Sequence, residues 1–426
     1  MSLRISSSLR PLAALGALAL LPTPQLSAQT IYLGGMDTLF MEGDPVAGNF
    51  QFLGACGGQI ACMIESFEDL YLGDVGGRVY QYFGRDSHPN TGVTTYLFDS
   101  PNDSTALADY GGTLLVGGSD GSVHSIDKRD GSVEESFDAT RPVGAMLRIG
   151  RDLFVGSPTF DVMRIDLQTG ATSLHGVCGG QIHAMTLDDD HFVFGTPSGV
   201  IYRMDVASGI VDAAFLVPND ATALAMHAGD LLVGGSDGSV LRMNPVDGTP
   251  LATLNSAGND VSAMAMAPDV AAPGWTYCYG LDCPCGNEDP VGGCANSLGE
   301  GARMLGSGTN SVLADDLVLT ADRLPPNVSS VNYMGSILND LPFGDGKLCT
   351  GGGYPIFRYR LQNAGPEGVV TSVPGLVAHS KENFAGGGGQ ILPGTTWIWQ
   401  IWYRNPPGPC GSGFNTSNAY LVSFVP

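Results

Sequence analysis

The chain has 426 residues, 61 glycines and 19 basic against 42 acidic side chains, a net charge of −23. That balance repels phosphate backbones and excludes nucleic acid as a natural partner. A hydrophobic share of 43% is too high for a disordered acidic tail and suffices for buried cores, in two or three domains at this length. The acids are 33 Asp and 9 Glu. Asp favours turns where Glu favours helices, so composition points to a turn-rich, all-β protein.

At the N-terminus, Arg4 and Arg10 flank the start of an apolar run from Leu12 to Leu21, which Pro22 and Pro24 break before Leu26-Ser27-Ala28. This is the pattern of a signal peptide over residues 1–28. The run is shorter than the ~20 residues a membrane-spanning helix needs, and no later stretch offers one. The expected location is exported: extracellular, cell surface or periplasm.

From Ile31 onward a repeat dominates. Hydrophobic triplets end in Gly34, Gly73, Gly117, Gly156, Gly195 and Gly234, spaced 39, 44, 39, 39 and 39 residues apart, with an insertion around Ser87-His88-Pro89-Asn90 in the longer step. About four short strands per 39 residues mark a β-propeller blade. Six units are present, and Val261–Met266 supplies an inner strand that the first unit lacks. The prediction is six blades over residues 29–270, seven being the competing number, with the first blade closed by residues 261–268. Residues 102–108 recur at 219–225, and Cys56-Gly57-Gly58-Gln59-Ile60 recurs at 178–182, so three blades have been copied into six.

Residues 271–426 lose this register. Short strands between Gly/Pro-rich loops predict a β-sandwich of the jelly-roll kind. It carries Cys278, Cys283, Cys285, Cys294, Cys349 and Cys410. In an oxidising compartment these are disulfide candidates, and the C-x4-C-x-C-x8-C spacing does not suit a tetrahedral zinc site. Six cysteines allow 15 pairings. The expectation pairs Cys349 with Cys410 and closes the cluster on itself. Cys62 replaces an alanine between blades and reads as a buried free thiol.

The triplet, Gly, DG turn, strand and TG turn resemble the quinoprotein-like and YVTN-like bacterial propeller repeats. Departures from quinoprotein dehydrogenases are plain: Trp275, Trp397, Trp399 and Trp402 all lie outside the repeats, so no quinone is implied. The motifs Cys283-Pro284-Cys285-Gly286-Asn287, Gly293-Cys294-Ala295-Asn296-Ser297, Phe343-Gly344-Asp345-Gly346, Gln400-Ile401-Trp402-Tyr403-Arg404 and Phe414-Asn415-Thr416-Ser417-Asn418 resemble a C-terminal module of secreted planctomycete-type bacterial proteins. That resemblance implies an exported or surface protein and no activity.

Two G-x-S-x-G matches, at Gly117–Gly121 and Gly234–Gly238, lack the following helix of a nucleophile elbow and read as turns. Aligning the inner strands on Cys62, Ala106, Ala145, Ala184, Ala223 and Ala263 places Gln59, Asp103, Pro142, Gln181, Asp220 and Asp260 in one ring at a channel mouth. One position before the small residue, His183 faces the channel. Carboxylates and amide oxygens there suit Ca²⁺, and His183 suits a general base. The competing expectation is that Asp103 and Asp220 make Asx turns.

The leading reading is therefore a non-catalytic exported propeller, without a cofactor, binding a protein or glycan on a loop face. One alternative is a metal-dependent hydrolase or lyase using the channel mouth. Another is a glycan-binding lectin with Trp397, Trp399 and Trp402 on one side of a strand, either outward or, as preferred, in the core.

Overall fold

The computed structural model describes residues 30–35, 37–66, 69–83, 93–255, 260–267, 273–351 and 355–426. The segment read as a signal peptide, the Ser87–Asn90 insertion and residues 271–272 lie outside the described residues.

The repeat region forms six four-stranded antiparallel sheets among the described residues. The first joins Ala263–Met266 to Ile31–Gly34, Leu39–Gly43 and Phe50–Ala55. The second runs Ile60–Ser66, Asp69–Asp74, Arg78–Phe83, Thr94–Asp99, and the third Ala106–Tyr110, Thr113–Gly117, Ser122–Asp127, Val133–Asp138. The fourth is Ala145–Ile149, Asp152–Gly156, Asp161–Asp166, Thr172–Val177, and the fifth Ala184–Asp188, His191–Gly195, Val200–Asp205, Val211–Leu216. The sixth is Ala223–His227, Asp230–Gly234, Ser239–Met243, Pro250–Asn255. The first sheet unites the two ends of the region, with Ile31 opposite Met266 and Gly34 opposite Ala263.

Each hydrophobic triplet is the second strand of its sheet, buried on both faces; Leu114, Leu115 and Val116 have no exposed surface. Burial on both sides explains a continuous apolar run where a half-buried strand would alternate. The glycine after it is where one sheet meets the next. A Cβ on Gly34 would fall 2.7 Å from Met63 Cε, one on Gly117 2.7 Å from Val143 Cγ1, one on Gly156 2.5 Å from Ile182 Cγ2, and one on Gly234 2.5 Å from Met264 Cε. These contacts step from each sheet to its successor, and the last returns from the sixth sheet to the first. The repeat glycine is thus a packing residue.

In the C-terminal part, a sheet orders Trp275–Tyr277, Ala419–Ser423, Thr396–Asn405, Ser329–Gly335 and Phe357–Asn363, with Gly413–Thr416 also pairing to Thr396–Asn405. A three-stranded sheet holds Arg303–Ser307, Val318–Asp322 and Val370–Thr371, and Leu338–Phe343 pairs with Gly346–Thr350. A short helix spans Leu376–Asn383, its first-turn N–H groups of Val377 and Ala378 bound by Asp315 at 2.8 and 2.9 Å. Met304 and Leu319 from the smaller sheet meet Trp397, Trp399 and Tyr403 from the larger in one core.

Two expectations need correction here. The disulfides are Cys278–Cys349, Cys283–Cys294 and Cys285–Cys410, so Cys349 does not pair with Cys410. Cys349 follows Lys347 on a strand against the chain at Cys278, while the 405–413 loop brings Cys410 back to Cys285 and Asn287. The tryptophans also do not share a side. Trp397 and Trp399 are buried in the core, whereas Trp402, at a position of opposite parity, turns to the other face and packs on Phe414 at 5.8 Å. Side chains alternate with a period of two, so 397 and 399 share a face and 402 cannot.

The C-terminal part docks on the third and fourth sheets. Gly112 N donates to Pro290 O at 2.7 Å, Arg129 reaches Asp282 and Asp340 at 3.2 Å each, and Arg151 donates to Gly299 O at 3.2 Å. No helix among the described residues is long and apolar enough to cross a membrane.

Candidate functional site

The inner strands of all six sheets line one channel, and two cavities occupy it. A narrow one of about 90 Å³ lies at the end where these strands begin, and one of about 450 Å³ lies at the other end. Both are bounded by the same six residues, Met63, Leu107, Met146, Met185, Leu224 and Met264, which form an apolar waist. Each follows the aligned small residue of its repeat. The Met/Leu ring is legible in the aligned repeats, one position after each small residue.

Of the residues expected at the mouth, only His183 lines the narrow cavity; Gln59, Asp103, Gln181, Asp220 and Asp260 do not. His183 is exposed, and partial withdrawal from water among the channel walls lowers its pKa from the usual histidine value. Gln59 and Gln181 are exposed as well.

The carboxylates are committed to turns. Asp103 accepts the Ser119 N–H at 2.7 Å and Asp220 accepts the Ser236 N–H at 2.8 Å. The residue after each repeat glycine explains why. Where it is Gly118 or Gly235, the turn has no side chain of its own, and the aspartate from the preceding strand start supplies the acceptor. Where it is Asp74, Ser157 or Thr196, that side chain serves locally: Asp74 accepts Gly76 N and Arg78 N at 2.9 Å each, Ser157 accepts Thr159 N at 3.1 Å, and Thr196 accepts Val200 N at 3.0 Å. The ring positions opposite those three are Gln59, Pro142 and Gln181. Asp260 stands against Gly35, where a Cβ would lie 3.1 Å from its Oδ1. Asx-type bonding of this kind is a structural use of aspartate.

Hydroxyls at the mouth stitch neighbouring sheets. Thr105 Oγ1 bonds to Val143 O at 2.8 Å, Thr222 Oγ1 to Val261 O at 2.6 Å and Ser262 Oγ to Ile60 O at 2.7 Å. No group of three or more His, Cys, Asp or Glu among the described residues is placed to hold a metal ion.

Polar chemistry at the opposite end centres on Asp109. Lys128 Nζ pairs with it at 2.5 Å, donates to Gly111 O at 2.8 Å and sits 5.0 Å over the Tyr71 ring. Burial pushes the Asp109 pKa upward, but Lys128 outweighs it and the carboxyl stays below its usual value. Arg148 donates to Asp109 O at 2.7 Å and lies 5.4 Å over Tyr110. This group joins the second, third and fourth sheets beside the docked C-terminal part.

The remaining thiols, Cys56, Cys62 and Cys178, are free. Burial and the Asp74 charge push Cys56 up to about 12, and burial raises Cys62 and Cys178 as well. None is an activated nucleophile, which would need its pKa lowered.

No family model matches the chain, and no curated protein matches it. Similar solved structures include the WD40 β-propeller domain of Doa1, at 13% identity over 55% of this chain and 81% of that one, with a TM-score of 0.44. The Nidogen/Laminin complex matches at 11% identity over 57% and 98%, TM-score 0.48. The computationally designed Ika8 protein matches at 18% identity over 53% and 74%, TM-score 0.38. The propeller-type assignment rests on the chain's own four-stranded sheets and their order of contact.

Proposed function

We propose that the chain is an exported, non-catalytic binding or scaffold protein. In this reading it has a six-bladed β-propeller over residues 29–270 and a disulfide-bearing β-sandwich over 271–426 that serves surface attachment or export. The observation that carries it is that Asp103, Asp220, Thr105, Thr222 and Ser262 at the mouth bond to backbone groups, and that among the described residues His183 has no carboxylate partner to orient it as a base. A cavity of about 90 Å³ at that mouth is also well below the ~300–1,000 Å³ usual for small-molecule sites. The outermost strands, by contrast, expose Phe52, Tyr96, Val133, Leu174, Leu216 and Leu251, one from each sheet, a rim suited to contact with another macromolecule. Three disulfides fit an oxidising compartment, and the resemblance to the planctomycete-type module fits a surface location.

The test is turnover by the full chain on lactone, ester and glycan substrates, with wild type beside Asp103→Ala and Asp220→Ala. The expected result is no turnover. Activity that disappears in both variants would establish the hydrolase alternative, and an ion in an anomalous-scattering map at the mouth would assign it a metal.

A further inference from the structure

The C-terminal part contains a cavity that the preceding reading does not use. It measures about 420 Å³, within the ~300–1,000 Å³ range of small-molecule sites, and lies where the larger sheet meets the short helix. A β-bulge opens it. The strands Ser329–Gly335 and Phe357–Asn363 shift register between Val331 and Tyr333, so Asn332 has no direct partner across that pair. Bulges of this kind re-aim side chains and cluster beside functional sites.

Asn332 is 4% exposed, and its Oδ1 makes no hydrogen bond within the chain. Its amide nitrogen donates to Gln362 Oε1 at 3.3 Å. Turning both amides over exchanges the roles but still leaves one polar atom of Asn332 unpaired. Beside it, the fully buried Trp399 turns its indole N–H toward the Tyr359 hydroxyl, which in turn is directed to Met334 Sδ at 3.4 Å. Leaving a buried polar group unsatisfied costs about 1–3 kcal/mol, so the unpaired Asn332 amide atom calls for an occupant that supplies its hydrogen-bond partner.

The walls restrict that occupant. Tyr359 and His379 stack at 5.0 Å and 28°. The rim includes Val373, 78% exposed, and Leu361, 69% exposed. Arg360 is the one permanently charged lining side chain, and it is exposed at the rim. An apolar ring face with adjacent hydroxyls, each both donor and acceptor, satisfies this arrangement. A charged ligand does not, since no charged side chain lines the floor to pair with it.

We propose that this cavity binds a neutral pyranose unit of a glycan. The ring packs beside the stacked Tyr359–His379 pair, and one of its hydroxyls bonds to the unpaired Asn332 amide atom. The site is independent of the propeller reading and uses none of the tryptophan face first expected of a lectin. The test presents the full, disulfide-intact chain to an array of neutral and acidic glycans, followed by titration calorimetry with the best neutral binder. The expected result is binding to at least one neutral glycan. That binding should weaken about tenfold or more in Asn332→Leu, which removes a buried hydrogen bond. It should weaken likewise in Val373→Trp, which fills the mouth from an exposed position and leaves the core intact. No retained neutral glycan, retention of acidic glycans alone, or wild-type affinity in Val373→Trp would each overturn the proposal.

Discussion

Removing the disulfides one pair at a time tests how the C-terminal part is stabilised. In the chain-entropy account a bridge stabilises by restricting the unfolded chain, more so for longer closed loops. The bridges span 71, 11 and 125 residues. The longest is not the most valuable, because the bridges share a circuit. With Cys278–Cys349 in place, the unfolded chain already connects Cys285 to Cys410 by a path of about 68 residues, running back to 278, across the bridge and on from 349. Double Cys→Ala variants at 278/349 and at 285/410 should therefore each cost about 4.4 kcal/mol, against about 2.8 kcal/mol for 283/294. Urea unfolding followed by tryptophan fluorescence isolates this part of the molecule, since Trp275, Trp397, Trp399 and Trp402 are the chain's only tryptophans and all lie in it. A loss at 283/294 equal to or greater than the other two would refute the entropic ranking and assign the stability to local contacts around Cys294.

Two further outcomes follow from the repeat region. Thr222→Val keeps the shape of the side chain but removes the hydroxyl that binds Val261 O, and should destabilise the sheets by about 1–3 kcal/mol in thermal unfolding followed by circular dichroism. His191 lies between Asp212 at 2.8 Å and Asp190 at 2.6 Å. Burial opposes its charge, but the hydrogen bonds to the two carboxylates prevail, and its pKa is raised above the usual 6.5. A raised folded pKa contributes stability that is fully present below the unfolded value and lost as pH rises through the folded one. The melting temperature should accordingly fall as pH rises from about 6 through that range, and His191→Gln should flatten this slope. An unchanged slope in the variant would remove His191 from the pH dependence.

Much of this architecture is legible in the order of residues because it depends on local rules. A strand buried on both faces must be apolar throughout, and the close approach of sheet to sheet must be glycine. Those two demands recur at nearly constant spacing from Gly34 to Gly234. The turn chemistry of Asp103 and Asp220 is also written in the sequence, in the alternation between Gly118 or Gly235 and the side chains of Asp74, Ser157 and Thr196. Its meaning emerges only when the acceptor and the N–H are seen 2.7 to 2.8 Å apart.

Other features depend on contacts between residues far apart in the chain. Cys349 bonds to Cys278 and Cys410 to Cys285 because of how a strand and a loop pass the cysteine cluster, which spacing does not encode. The cavity beside Asn332 requires a bulge, a helix and the Trp399 strand to converge from three segments. The length and glycine excess thus indicate a turn-rich β protein, since those are properties of the whole composition. Which polar groups are spent and which are left facing a cavity is settled by packing, because each hydrogen bond depends on where the rest of the chain comes to lie.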